Sequence, residues 1–212
     1  RSPGPYYAVE IDKSGRSLFS TTVIPNRGAW LQLEEDENGV ISVRVDRQRK
    51  FPLTVLLRAL GLSSNDQIID MFGNEEGLDI TFAKDSCKNT DEALISFYSK
   101  VRPGDPASPE VAKSHLNNLF FDARRYDLAR VGIYKINKKL GVSARIVGHK
   151  TAEDIVTPDG EVICKKDVVI TYELAREIED AGIASVLIHP IRKNGDAQVI
   201  SEAVHKVVGN GR

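Results

Sequence analysis

Cysteine, tryptophan and long apolar runs are scarce in this chain of 212 residues, and each scarcity excludes something. The two cysteines, Cys87 and Cys164, lie far apart without metal-ligand spacing, so a reducing, cytoplasmic compartment is expected. No apolar run approaches the roughly 20 residues that span a bilayer, so no membrane partner is expected. A glycine-rich phosphate cradle and a nucleophile elbow are both absent, and no independent enzyme motif replaces them. The four histidines, His115, His149, His189 and His205, are scattered, and none stands at ligand spacing from a cysteine or carboxylate. Glu34-Glu35-Asp36-Glu37 is acidic enough to suggest a metal site, but a hairpin tip holds carboxylates too loosely for one. No catalytic residue, metal site or cofactor is therefore expected within the chain. Net charge is also missing: a formal charge of −1 argues against a free-standing, generally basic DNA-binding protein.

What is present is an ordinary globular composition, 41% hydrophobic and 28% charged, with its charge unevenly spread. Arg124 to Leu140 carries six Lys/Arg, one acid and two tyrosines, the signature of a surface that meets a polyanion and can stack on bases. A second basic block, Arg44-Val45-Asp46-Arg47-Gln48-Arg49-Lys50, repeats the theme. Two such blocks on a near-neutral chain point to a local nucleic-acid face.

The pattern predicts an α+β fold of mixed antiparallel β-hairpins and short helices, with a small hairpin-and-helix module appended. Leu31 to Asp46 reads as a hairpin: Ile41, Val43 and Val45 alternate with Ser42, Arg44 and Asp46, and Asn38-Gly39 supplies the turn. That puts the acidic cluster at the tip, in water, and Arg44 on the exposed face. Helices are predicted over Pro52–Leu60, from Ser63/Ser64 through Met71, over Thr90 to about Val101, and from the Ser108-Pro109 start to near Phe121. Leu94, Ile95, Phe97 and Tyr98 are the expected apolar part of the third helix, and Val111, Leu116, Leu119 and Phe120 that of the fourth. Arg124 to Leu140 reads as loop and short irregular helix.

After Thr151 the style changes. Asp154–Val156 and Glu161–Cys164 form a second hairpin around Asp159-Gly160, Thr171–Ala181 a helix closed by Gly182, and Ser185–Ile188 a strand. Lys193-Asn194-Gly195-Asp196 is a further turn, and the last dozen residues are expected to be loosely held. The division is expected as 1–142 and 143–212. A first residue Arg and an end at Gly211-Arg212 without a closing element read as a piece of a larger polypeptide.

Several residues carry two readings. Trp30, the sole tryptophan, is either core, as lone tryptophans in domains of this size usually are, or an exposed stacking surface. Asp127 either pairs with Arg124 or Arg130 on a solvated surface or reads a base edge. Arg44, Arg47, Arg49, Lys50, Lys135, Lys138 and Lys139 either touch phosphates or belong to ordinary solvated faces.

A resemblance joins these blocks. Arg1-Ser2-Pro3-Gly4, Ile24-Pro25-Asn26-Arg27-Gly28-Ala29-Trp30, Arg44 to Lys50, Leu57-Arg58-Ala59-Leu60-Gly61, Val101-Arg102-Pro103-Gly104-Asp105-Pro106 and Arg124 to Leu140 stand in a particular order. In that order they resemble the β lobe of the β subunit of bacterial DNA-directed RNA polymerase. Residues 151 to 190 look like a small module that follows the lobe core in some members.

The resemblance implies a wall of the downstream DNA channel. Trp30 would stack an unpaired non-template base, and Asp127 with Arg1 would form a pocket for an unpaired guanine. Arg44, Arg47, Arg49, Arg124, Arg125 and Lys135 would contact DNA. It implies other polymerase subunits as partners, with sigma factor and regulators as further ones. The magnesium of nucleotidyl transfer would be bound by another subunit. Ile133 departs from the pattern, because the family shows an arginine between Val-Gly and Tyr-Lys, and Pro5 stands where an aliphatic residue is usual. The competing reading is a protein-docking module for initiation or regulatory factors, without base recognition.

Overall fold

In the computed structural model, residues 1–183 and 185–189 are described. By their contacts they fall into two compact units, Arg1–Ile133 and Tyr134 onward. The division expected from sequence, at 142/143, lies further along the chain. The fold is α+β with antiparallel sheets.

The first unit is built on a five-stranded sheet in chain order: β1 (Gly4–Ile11), β2 (Ser17–Ile24), β3 (Leu31–Glu35), β4 (Ile41–Val45) and β5 (Phe51–Pro52). The β1–β2 hairpin is not anticipated by the sequence reading. Its turn is tied by Asp12, whose Oδ1 accepts from the Ser14 amide at 2.8 Å and the Arg16 amide at 2.9 Å. Pro5 weakens the strand signal, and it is tolerated because β1 is an edge strand.

The β3–β4 hairpin forms as expected, with Leu33 opposite Val43 and Gln32 opposite Arg44. Its acidic cluster requires a correction. Only Asp36 and Glu37 lie in the turn, where Asp36 Oδ1 accepts from the Asn38 and Val40 amides at 2.9 and 3.0 Å. Glu34 and Glu35 belong to β3 and are half-buried, and burial raises the Glu35 carboxyl pKa. Pairing with β4 continues two residues further than the acidic run suggests, through Glu34 opposite Ser42 and Glu35 opposite Ile41.

Helix α1 (Leu53–Ala59) is buried on every side, including Arg58. The Arg58 Nε donates to Asp85 Oδ2 at 2.9 Å, its Nη1 to the Ser63 carbonyl at 2.6 Å, and its Nη2 to Asn65 Oδ1. One guanidinium thus fastens the end of α1 to the start of α2 (Asn65–Phe72) and to the segment after α3 (Glu76–Phe82). The capping box of Ser64 with Gln67 starts α2, and α3 is a helix without a sequence forecast.

Caps at Asn89 and Ser108 start α4 (Thr90–Val101) and α5 (Pro109–Phe120), whose bounds match expectation closely. Phe97 is fully buried and packs edge-on against Phe51, with centroids 5.8 Å apart. Ile95 and Val111, expected inward, face solvent. The inward faces are Ala93, Leu94, Phe97 and Tyr98 in α4 and Ala112 with Leu116 in α5, sets at helical spacing that leave Ile95 and Val111 outside.

The segment expected as irregular contains a regular helix instead, α6 (Ala129–Leu140). Asp127 Oδ1 accepts from the Ala129 amide at 2.9 Å, and Ala129 itself has φ +54°. Gly132 obscures this helix in the sequence, and its missing side chain leaves room for a close approach. A Cβ there would lie 3.2 Å from both Pro3 Cβ and Leu128 Cβ.

In the second unit, α7 (Val142–Ile146) stands where only a boundary was expected. The short strands β6 (Lys150–Thr151) and β9 (Ile188–His189) pair antiparallel, as do β7 (Ile155–Val156) and β8 (Val162–Cys164). Helix α8 (Tyr172–Asp180) is capped by Thr171. Ile146, Ile155, Ile170, Ala175 and Ile178 form the core. Fully buried Thr151 crosslinks it, its Oγ1 donating to the Lys165 carbonyl at 2.9 Å and accepting from the Val168 amide at 3.0 Å. The predicted turn at 193–196, the loosely held end and His205 lie outside the described residues.

Candidate nucleic-acid interface

Three segments distant in sequence meet in the first unit: residues 1–4, 25–30 and 122–132. The Asp127 carbonyl accepts from the Asn26 amide at 2.8 Å and the Arg27 amide at 3.1 Å, and the Asp127 amide donates to the Arg27 carbonyl at 2.9 Å. This is an antiparallel bridge outside the main sheet. Beside it Gly28 has φ +120°, and a Cβ there would lie 2.7 Å from Tyr126 Cδ2 and 3.0 Å from the Arg125 carbonyl. Only glycine meets both demands. Tyr126 is half-buried behind the loop, edge-on to Phe120 at 5.7 Å, and burial raises its phenol pKa. Pro3 and Gly4 close against Gly132 from the third side.

Trp30 ends this loop. It is 45% exposed, so the core alternative for the sole tryptophan does not hold. Its neighbour Ala29 is buried, and its main chain is held by Asp46: the Trp30 amide donates to Asp46 Oδ1, and the Asp46 amide to the Trp30 carbonyl, each at 2.8 Å.

The expected cations are arranged unevenly. Arg1 is exposed, with its guanidinium 5.4 Å from the Tyr6 ring centroid. Arg124 and Arg125 are exposed, and Arg125 Nε lies 3.5 Å from Asp122 Oδ2, a solvated pair of small energetic weight. Arg47, Arg49 and Lys50 are exposed beyond the end of β4. Arg44 is a correction: it is half-buried, its Nη2 lies 3.9 Å from Glu34 Oε2, and its Nε is enclosed without a hydrogen-bond partner. Alternation sets which side of the sheet a side chain takes, but a neighbouring strand can cover that side. Lys135 belongs to the second unit, where it is half-buried on α6. Among the described residues Asp127 makes no ion pair with Arg124 or Arg130, and its carboxylate caps Ala129 instead.

The sequence reading did not single out Arg27 or Asp46, and it offered Tyr126 as a ring available to stack on bases, whereas Tyr126 is half-buried against Phe120. Arg27 is exposed, and its Nη2 approaches the Ala123 carbonyl at 3.4 Å. Its position beside Gly28 in the Trp30 motif was the available signal. Asp46 and Tyr126 act through main-chain contact and packing, which leave little mark in a sequence. His115 packs edge-on to Tyr98 at 5.4 Å, and burial together with Arg102 and Arg125 lowers its pKa. Among the described residues no three His, Cys, Asp or Glu side chains gather into a possible metal site, and no helix is long and apolar enough to cross a membrane.

The segments that converge here lie within residues 1–157, which match the family model described as RNA polymerase Rpb2, domain 2. The chain belongs to this family. It is 56% identical over 184 residues to the DNA-directed RNA polymerase subunit beta of Clostridioides difficile (strain 630), covering 86% of the chain and 15% of that protein. The subunit of the same name from Alkaliphilus oremlandii (strain OhILAs) is 52% identical over 211 residues, 99% of the chain and 16% of the relative. That of Clostridium novyi (strain NT) is 48% identical over 211 residues, with the same two shares. The chain therefore spans about one-sixth of the length of these curated relatives. In this Rpb2 domain 2 chain the departure at Ile133 is on the surface, where Ile133 and Val131 are each about half exposed.

Proposed function

We propose that this chain is part of the β subunit of DNA-directed RNA polymerase and forms one wall of the downstream DNA channel. Trp30 stacks an unpaired base of the non-template strand, and the Asp127 carboxylate with Arg1 meets the edge of an unpaired guanine. A carboxylate can accept from the guanine N1–H and N2 amino group, while an arginine donates to O6 or N7. Arg27, Arg47, Arg49, Arg124 and Arg125 supply the positive field that attracts the backbone, with Arg44 and Lys135 contributing less because they are half-buried. The observation that carries this reading is an exposed Trp30 on the same short loop that bridges to Asp127. Stacking tolerates any base and is worth about 1–3 kcal/mol, so affinity in the cell depends on assembly with the other subunits. Nucleotidyl transfer belongs to the assembled enzyme, with magnesium held by another subunit and no catalytic residue contributed here.

Anisotropy of a labelled forked DNA across a salt series tests the reading. The chain should bind the fork with a salt slope of about one unit per phosphate contact, and Trp30→Ala should weaken binding without changing that slope. Fork binding unaffected by Trp30→Ala sinks the stacking role.

The second unit favours a further reading, docking of initiation factors such as sigma or of regulators. It exposes Val162, Val169, Tyr172 and Leu187, by half or more in each case. Capture of a polymerase subunit or sigma factor by the chain, abolished by Val169→Asp and indifferent to DNA, is the outcome this reading predicts.

A further inference from the structure

We infer that Asp46 is the positioning residue for Trp30, the device that makes an exposed tryptophan a fixed platform; this rests on the stacking role proposed above. Both main-chain polar groups of Trp30 are taken by this one residue. Asp46 Oδ1 accepts from the Trp30 amide at 2.8 Å, and the Asp46 amide donates to the Trp30 carbonyl at 2.8 Å. Asp46 does so from φ +51°, a left-handed conformation that L-residues seldom adopt and that Asp and Asn tolerate best. The reversal is closed by the Gln48 amide, which donates to the Val45 carbonyl at 3.1 Å.

The other end of the loop is fastened independently, with Asn26 and Arg27 on the Asp127 carbonyl. Residues 26 to 30 are thus held at both ends, while the ring remains 45% exposed. An exposed ring on a free loop would have to be immobilised each time a base stacks on it. A ring on a fixed main chain is already partly ordered, so more of the stacking energy reaches the base. A merely structural Asp46 would stabilise the fold without affecting the ring.

Three substitutions separate these roles. Asp46→Asn keeps the acceptor and the tolerance for positive φ. Asp46→Gly keeps the backbone conformation but removes the acceptor, and Asp46→Ala loses both. Two signals are read on the full 212-residue chain, with folding checked by circular dichroism. They are the picosecond–nanosecond anisotropy decay of Trp30, and quenching of its emission by a forked DNA with unpaired bases on one strand. The expected result is faster local motion and about two- to tenfold weaker quenching affinity in Asp46→Gly. Asp46→Asn should match the parent within about twofold, with Asp46→Ala at least as impaired as Asp46→Gly. If the fork quenches the parent and Asp46→Gly equally, with unchanged anisotropy decay, Asp46 does not position the ring and the inference is overturned. If the fork fails to quench even the parent, the stacking role itself falls and takes this assignment with it.

Discussion

Arg27 and Asp127 exchange two main-chain hydrogen bonds, at 3.1 Å through the Arg27 amide and 2.9 Å through the Asp127 amide. This bridge brings the tryptophan loop to the basic segment, and it involves no side chain of either residue. Gly28 is the position that lets the two stretches approach. Gly28→Ala would add a methyl 2.7 Å from Tyr126 Cδ2 at φ +120°. The expected cost is about 2–4 kcal/mol of unfolding free energy, measured by urea denaturation, together with weaker fork binding. A loss under about 0.5 kcal/mol would mean that the approach is not tight.

Arg58 and Asp85 are a stability element without direct contact to the candidate interface. Their side chains are 5% and 0% exposed, and the guanidinium also serves Ser63 and Asn65. Asp85→Ala would leave a buried cation without its carboxylate, for an expected loss of about 3–5 kcal/mol by denaturation. Arg58→Lys should also be destabilising, because one ammonium cannot reproduce the planar fork that reaches three acceptors. Full stability in Arg58→Lys would contradict the account of α1 anchoring.

His115 supplies a pH dependence. Burial first, then Arg102 and Arg125, lower its folded-state pKa below the unfolded value near 6.5. The unfolded chain therefore binds a proton more readily, and stability rises with pH across this window. The stability tied to neutral His115 is complete above about pH 6.5 and is lost as pH falls toward the lowered pKa. His115→Gln should flatten the unfolding free energy between about pH 5 and 7 relative to the parent. Parallel curves for the two proteins would remove His115 as the cause.

Ile133 offers a gain of function. It is 51% exposed, so Ile133→Arg should change stability by no more than about 0.5 kcal/mol. A cation restored there should tighten fork binding at low salt and steepen the salt slope by about one unit. An unchanged slope would mean that this face of α6 does not meet phosphate.

Helices whose start is written locally were legible in the sequence: Ser64 and Ser108 cap the helices expected of them, while the caps at Asn89 and Thr171 went unnamed although their helices were expected. The β1–β2 hairpin was hidden because Pro5 reads against a strand and the tolerance for it comes from the edge position. Helix α6 was hidden by Gly132, which packs close to Pro3, a contact that no local window contains. For the candidate site, Trp30 and Asp127 were named through the family motif, whereas the bridge from Arg27 to Asp127 was not, since main-chain bridges have no residue code. Arg44 was misjudged because alternation along β4 does not report that Glu34 of β3 approaches its guanidinium.

The central claim is that Trp30 stacks an unpaired base, and iodide quenching of its emission tests this most directly because no other tryptophan contributes. In the free chain the emission should be red-shifted and readily quenched. A fork with unpaired bases should shield the ring, and a fully paired duplex of the same length should not. Equal iodide access with fork, duplex and no DNA would contradict the claim, leaving Trp30 as an exposed residue without a base to hold.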